Sequence, residues 1–283
     1  MNVHVATSLE DALEFKRGHP AAHPLLGGTD AIAQWQAGAP RPEHVLALEA
    51  LGDLKRVDIG REGVTIGAGV SHFTLAHDAV MRERLPALAA AARTVGAPAI
   101  QMMGTLAGNI ANASPAADVP PVLLAYGAEV VAAAVEGERR IPLERFYTAY
   151  RRTALAPQEL VVAVFVPWPR EGTYADYYKI GTRAAQSIAR VGLAGCLLAE
   201  RGTVTRARLG AASVAPTPVR LVDVERLVEG GALSADLAAR ARDLAAACVS
   251  PIDDVRGTAA YRRRALGALV ERFLTRAAAA TAA

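Results

Sequence analysis

GTLAGNIANASPAAD, residues 104–118, is the stretch on which the reading of this chain turns. Small residues and amides fill it, a single carboxylate closes it, and no lysine or arginine interrupts it. Backbone free of bulky side chains lets N–H groups converge on a partner, and such groups hold a diphosphate without any cationic side chain. A stretch of similar character lies upstream in HPLLGGTDAIAQWQAG, residues 23–38. There 24–26 read as a strand, Gly27-Gly28 as a turn, and Thr29 or Asp30 as the N-cap of a helix over 31–36, whose dipole favours an anion. Neither stretch is a Walker loop, since no Gly-Lys-Ser or Gly-Lys-Thr follows, and neither carries Gly-x-Gly-x-x-Gly after a strand. One such stretch alone reads as a tight turn, whereas two favour a nucleotide. Asp118 reads either as an acceptor for ribose hydroxyls or as the N-cap of the helix after it. Asn109 reads either as a bridge to loop and phosphates or as a turn residue at positive φ.

Outward from the loops, strands and helices alternate. A strand over 2–5 precedes a helix that starts at Ser8 and carries Leu9, Ala12, Leu13 and Phe15 as its apolar stripe. Short strands are expected over 45–48 and 54–59, another in GVTIGAGV (63–70), and a helix over 75–84 capped by Ser71. DVPPVLLAYGAEVVAAAV (118–135) reads as a helix over 119–126, a stop at Gly127 and a strand through 135; ELVVAVFVPWP reads as a strand ended by prolines. The polar run PWPREGT (167–173) marks a domain boundary. Beyond it YADYYKIG, SIARVGLAGCLLA and TVTRARLGAAS form three successive strands, and three helices start near Thr217, Ser234 and Thr258. The expected fold class is α+β. A domain of mixed strands and helices over 1–170, with lobes of about 1–56 and 57–170, carries both glycine loops; a domain over 173–278 has a three-stranded antiparallel sheet with a helical bundle. The alanine-rich tail RAAAATAA is expected to fray.

The 283 residues are 52% hydrophobic, enough for a real core and for two domains. The net charge is +3, but the 31 basic residues interleave with 28 acidic ones, which excludes a nucleic-acid footprint. Arg262-Arg263-Arg264, the densest basic run, reads as a solvated or subunit-facing helix side. Cys196 and Cys248 lie far apart with no Cys-x-x-Cys pair, so this chain by itself ligates neither an iron–sulfur cluster nor a structural zinc. The opening MNVHVATSLEDALEF has no basic n-region or apolar h-region, and no apolar run is long enough to span a membrane; a cytoplasmic protein is expected. His4, His19, His23, His44, His72 and His77 show no metal spacing and read as surface or packing residues, and neither a catalytic nor a metal-ligating set is found.

LLGGTDAIAQWQAG and GTLAGNIANASPAADVPPVLLAYGAEV resemble two segments of the FAD-binding medium subunit of molybdenum hydroxylases: Ala-Gly-Gly-Thr-Asp-Leu, and Thr-Ile-Gly-Gly-Asn followed by Ser-Pro-Ala-Ala-Asp. This is the family of xanthine dehydrogenase and aerobic carbon monoxide dehydrogenase. AYRRTALAPQELVVAVFVP and YADYYKIGTRAAQSIARVGLAG are similar to its later segments, so the resemblance spans nearly the whole chain. It implies an extended FAD with its diphosphate between the two loops and its ring system at the boundary with the C-terminal domain. Leu26, Gly27, Gly28, Thr29 and Asp30 would make the first cradle, and Gly104, Thr105, Gly108, Asn109 and Ser114 the second. Asp118 falls on the ribose-side carboxylate, and Lys179 and Ile188 fall where the second domain meets the flavin, positions that also read as plain strand. Two departures stand out: Leu26 occupies a position usually small, and Ala107 replaces the first of two adjacent glycines. A methyl at Ala107 is tolerated at negative φ and strained at positive φ.

The resemblance further implies a large molybdopterin subunit, a small subunit with [2Fe-2S] clusters that pass electrons to this chain's FAD and on to an external acceptor, and a dimer of heterotrimers. A self-sufficient flavin oxidoreductase of the same two-loop fold, and a nucleotide-binding assembly module without redox activity, stay open beside it.

Overall fold

The structure, a computed structural model, describes residues 1–183 and 186–281. The first lobe is β1 (Asn2–Val5), α1 (Leu9–Gly18), β2 (His23–Leu25), α2 (Ala31–Gln36) and β3 (His44–Ala47). Its strands form a parallel sheet in the order β1-β3-β2. Helix α1 starts where expected, with Ser8 Oγ accepting from the Asp11 N–H at 3.1 Å.

A 3₁₀ turn over Gly52–Lys55 leads to the second lobe. It contains β4 (Val57–Ile59), β5 (Gly63–Gly67), α3 (His72–His77), α4 (Ala79–Arg84), α5 (Pro86–Thr94), α6 (Pro98–Met103), α7 (Leu106–Ala111) and α8 (Val119–Tyr126). Then come β6 (Glu129–Ala134), β7 (Gly137–Pro142), α9 (Leu143–Phe146), β8 (Tyr147–Ala149), β9 (Arg152–Thr153) and β10 (Leu160–Pro167). The sheet β4-β5-β10-β6-β7 is antiparallel throughout. The helix expected over 75–84 is two helices, because Asp78 leaves helical φ/ψ and its carboxylate starts a new one by accepting from the Met81 N–H at 2.9 Å. Gly127 ends α8 in the left-handed conformation at φ +75, as its position suggested.

The C-terminal part is β11 (Tyr174–Ile180), β12 (Val191–Glu200), β13 (Thr203–Ala212), β14 (Val219–Arg220), α10 (Val222–Val228), α11 (Ala235–Ala247) and α12 (Ala259–Thr281). The three long strands of the antiparallel sheet are joined by a fourth of two residues, β14, which sits where a helix start near Thr217 was expected. Helix α12 continues to Thr281 with Ala277 buried, so the tail packs rather than frays up to that point; the last two residues lie outside the described ones.

This sheet is buried on both faces, which accounts for the unbroken apolar run of β12. Tyr177, Ala194 and Cys196 face the core of the first 170 residues, while Tyr178, Val191, Leu193 and Leu197 face helices α10, α11 and α12. Gly210 sets the distance between the two halves: a Cβ there would lie 2.0 Å from the Pro121 carbonyl oxygen, so α8 rests directly on β13. That close approach brings the start of α8 to the strand that carries Tyr177 and Lys179.

Candidate functional site

The two glycine stretches meet. A Cβ on Gly27 would lie 1.7 Å from the Met103 carbonyl oxygen and 3.2 Å from the Gly104 nitrogen. A Cβ on Gly104 would face Ile100 O at 3.0 Å, His72 Cδ2 at 3.2 Å and Thr29 Oγ1 at 3.4 Å. The absence of side chains at both positions is what lets residues 26–30 lie against residues 103–105.

In the first stretch Gly28 takes φ +67 and turns the chain from β2 into α2, while Leu26 packs partly against the core. Among the described residues the N–H groups of Gly27, Gly28, Thr29 and Asp30 donate to no backbone or side-chain acceptor. Asp30 occupies the N-cap position of α2 but makes no capping bond; it is exposed, and its carboxylate accepts from Gln34 Nε2 instead.

The second stretch corrects the expectation of a bare amide loop. Leu106, Ala107 and Ile110 are apolar and bury their side chains by winding into α7. Thr105 Oγ1 caps that helix, accepting from the Gly108 N–H at 3.2 Å. The Leu106 and Ala107 N–H groups donate to Val70 O at 2.9 Å and Ala68 O at 3.2 Å, and Asn109 N–H to Thr105 O at 3.0 Å. Ala107 is helical with its methyl in the core, so its departure from the family's glycine introduces no strain. What stays open on this side is the Thr105 N–H, the exposed backbone at Gly108, and Asn109 Oδ1, which is buried without a hydrogen-bond partner. Ser114 is used locally: its hydroxyl accepts from the Ala116 N–H at 3.3 Å, just after Ala113 turns the chain at φ +49.

Asp118 stands at the N-cap position of α8 but its side chain makes no capping bond. One carboxylate oxygen accepts from Tyr177 Oη at 2.8 Å and the other from Lys179 Nζ at 2.7 Å. Lys179 Nζ donates also to Thr94 O at 2.9 Å. Burial pushes the Asp118 carboxyl above its ordinary range, opposed by the charge of Lys179 and by both hydrogen bonds. Residues 94–104 connect this pair to the glycine junction, since Gly96 O accepts from Gln186 N–H at 3.2 Å and Ile100 O from Gly104 N–H at 2.7 Å. Ile188 is 61% exposed on the segment between β11 and β12.

Three residues lacked a usable sequence signal. Tyr177 lies on the same strand face as Lys179, two residues away, which is a pattern shared by any strand. Arg262, read as part of a solvated run, is buried, its guanidinium donating to Arg190 O at 2.8 Å, Ser213 O at 3.0 Å and Asp254 at 2.6 Å. His72, grouped with packing residues, lies at the loop junction and is 2% exposed.

A group that combines a diphosphate with polar ring and sugar substituents fits what is present among the described residues: unpaired amides at 27–30 and an unpartnered buried acceptor at Asn109. Among the described residues no group of three or more His, Cys, Asp or Glu side chains is arranged to hold a metal ion, and no helix is long and apolar enough to cross a membrane.

Comparison with known proteins identifies the family. Residues 1–169 match the FAD binding domain in molybdopterin dehydrogenase, and residues 176–277 the CO dehydrogenase flavoprotein C-terminal domain. The chain is 32% identical to the carbon monoxide dehydrogenase medium chain of Afipia carboxidovorans, covering 98% of this chain and 96% of that one. It is 28% identical to the xanthine dehydrogenase FAD-binding subunit of Escherichia coli O157:H7, with the same coverage. Its fold superposes on carbon monoxide dehydrogenase from Hydrogenophaga pseudoflava with a TM-score of 0.95 at 28% identity, covering 99% of this chain and 98% of the other. The chain belongs to the FAD-binding medium subunits of the molybdenum hydroxylase family.

Proposed function

We propose that this chain holds FAD in extended form between its two glycine stretches and serves as the exit for electrons in a molybdenum hydroxylase. The observation that carries the reading is the abutment of Gly27 on Met103–Gly104, which aligns a run of unpaired amides with the open side of residues 104–109. Those amides supply donors to diphosphate oxygens without bringing a cation into the site. Asn109 Oδ1, otherwise unpartnered, takes a donor from the cofactor, and Asp118, fixed by Tyr177 and Lys179, keeps unused lone pairs for a ribose hydroxyl. Lys179 and Ile188 lie on the C-terminal sheet side, where the ring system would sit. When bound, FAD supplies the redox chemistry, and the protein's part is to orient it.

Residues 1–170 and 173–278 act as the two domains in this reading. The electrons come from [2Fe-2S] clusters on a small subunit, after substrate oxidation on a large molybdopterin subunit, and leave to an external acceptor. The assembly is a dimer of heterotrimers in the cytoplasm. The chain purified alone and titrated with FAD is expected to turn yellow and quench flavin fluorescence with saturation, and an FAD-indifferent chain would overturn the reading. Coexpression with the reading frames beside its gene is expected to yield a complex containing molybdenum and iron; recovery of this chain only as a lone monomer would refute the assembly.

A further inference from the structure

Five non-glycine residues among the described ones take a positive φ. Arg151 and Arg201 sit in the tight turns that join β8 to β9 and β12 to β13, where that conformation is ordinary. The other three, Ala113 at +49, Gln186 at +51 and Ser213 at +65, lie on segments far apart in sequence that the fold ties together. Ser213, just past the end of β13, is where the ties meet. Its N–H donates to Pro115 O at 2.7 Å, on the turn between Ser114 and Asp118, and its hydroxyl donates to Ala189 O at 2.9 Å. Its own carbonyl accepts from Arg262 Nη1 at 3.0 Å. The same guanidinium donates to Arg190 O at 2.8 Å and to the Asp254 carboxylate at 2.6 Å. Ala189 is fully buried, so the serine hydroxyl satisfies a carbonyl out of reach of solvent.

Residues 186–190 of the connection between β11 and β12 are thereby pinned to the same elements that hold the Asp118–Lys179 pair. Gln186 N–H donates to Gly96 O, two residues beyond the Thr94 carbonyl that accepts from Lys179. Arg190 N–H donates to Ile180 O at 2.8 Å, next to Lys179 on β11. Ser213 supplies the third tie, to the turn ahead of Asp118. Between these ties Ala189 turns inward and Ile188 stands out, 61% exposed. Glycine would take φ +65 without the penalty that a Cβ brings there, so a serine at this position is accounted for by what its hydroxyl reaches, the 186–190 segment. A strained backbone position whose side chain grips a second segment beside a binding site aligns that segment.

We propose that Ser213, backed by Arg262, is a positioning residue: it fixes residues 186–190 against the turn ahead of Asp118 and so sets where Ile188 stands against the ring system of the bound flavin. This rests on the FAD reading above. The effect is confined to the ring half of the cofactor, because the ties lie at the Asp118–Lys179 end and leave the amides of 27–30 untouched.

The test uses the full-length chain freed of flavin. Dissociation constants are measured for FAD and ADP in the wild type and in Ser213→Gly. Glycine keeps the left-handed φ, the N–H to Pro115 O and the carbonyl that accepts from Arg262, and removes only the hydroxyl. The strain relieved offsets the bond lost, so the melting temperature is expected to stay close to that of the wild type. FAD affinity is expected to fall about fivefold, the worth of one hydrogen bond, while ADP, which has the diphosphate but no flavin ring, binds as before. Amide exchange at Gln186 and Arg190 is expected to quicken, with no change in the middle of β12. An unchanged ratio of FAD to ADP affinity would overturn the role of Ser213 while leaving the FAD reading intact. A wild type that binds neither FAD nor ADP would overturn the FAD reading and the proposal with it. Should Ser213→Gly fail to fold, exchange at Gln186 and Arg190 in the wild type is compared at saturating FAD and saturating ADP: protection by FAD alone supports the proposal, and equal protection by both, or by neither, overturns it.

Discussion

Residues 27–30 and residues 104–109 look alike in sequence, each small, glycine-bearing and free of cations, yet they fold into opposite things. The first remains a turn, with Gly28 at φ +67 and four successive N–H groups unpaired among the described residues. The second winds into α7 and uses its early amides on Ala68 O, Val70 O and its own Thr105 cap. The difference comes from what lies beside each. Next to 104–109 run the carbonyls of Ala68 and Val70, which take two of its N–H groups, and an apolar core that takes Leu106, Ala107 and Ile110; next to 27–30 lies the Met103 carbonyl, which among the described residues accepts from none of the four N–H groups. Composition marks where backbone is uncrowded, and neighbours decide whether its amides stay free. One stretch is thus the receptor and the other mostly the wall that shapes it.

The contrast can be broken most forcefully at Gly27. Alanine there places a methyl within 1.7 Å of a backbone oxygen that has nowhere to retreat, so Gly27→Ala is expected to lower stability by roughly 3 kcal/mol or more and to abolish FAD retention. Chemical unfolding and flavin content of the purified variant check both; wild-type values in either would separate the two stretches. Next in size is Asp118→Asn, which leaves the buried Lys179 ammonium without its counter-charge and is expected to destabilise by about 3 kcal/mol, while Tyr177→Phe removes one hydrogen bond and about 1 kcal/mol. A urea midpoint for Asp118→Asn no lower than that of Tyr177→Phe would remove the ion pair from the account.

Acidification probes the junction itself. Burial holds the His72 imidazole down at about 4 against an ordinary value of 6.5, so between those values the unfolded chain binds a proton that the fold refuses. Stability should therefore fall as pH drops through that window, by up to about 3 kcal/mol from this residue, and His72→Phe should show a correspondingly flatter profile. Parallel pH profiles for the two proteins would refute the burial effect.

The smallest effects belong to the second stretch, where the sequence departs from or matches the family without consequence for the backbone. Ala107→Gly removes a buried methyl from a helix and is expected to lower stability by about 1 kcal/mol with FAD affinity unchanged. Gly108→Ala adds a methyl that meets only Thr105 Oγ1 at 3.1 Å on an exposed helical position, so its stability change should stay within about 0.5 kcal/mol. Gly108→Val, broader at Cβ, should weaken FAD retention. Comparable stability losses for alanine at Gly27 and at Gly108 would erase the distinction between receptor and wall.

Much of the architecture was legible from local pattern: the Ser8, Ser71 and Ser234 caps, the Gly127 stop and the three long C-terminal strands all follow from short-range chemistry. The breaks came where a side chain found a distant partner. Asp118, read as a ribose-side acceptor or as a cap, makes no capping bond and accepts from Tyr177 and Lys179, 59 and 61 residues away. Arg262 looked solvated and became buried because the carbonyls of Arg190 and Ser213 and the carboxylate of Asp254 converge on it.

From its sequence alone, this protein has a family, an order of elements and two stretches of uncrowded backbone, because caps, stops and glycine spacing act over a few residues. Tertiary structure alone decided that Gly27 touches Gly104, that among the described residues four amides remain unpaired on one side and few on the other, and that His72 Nδ1 is buried beside Gly104 without a hydrogen-bond partner. Such outcomes depend on close packing between segments far apart in the chain, where a single carbonyl placed within reach determines which donors are spent and which are left to bind.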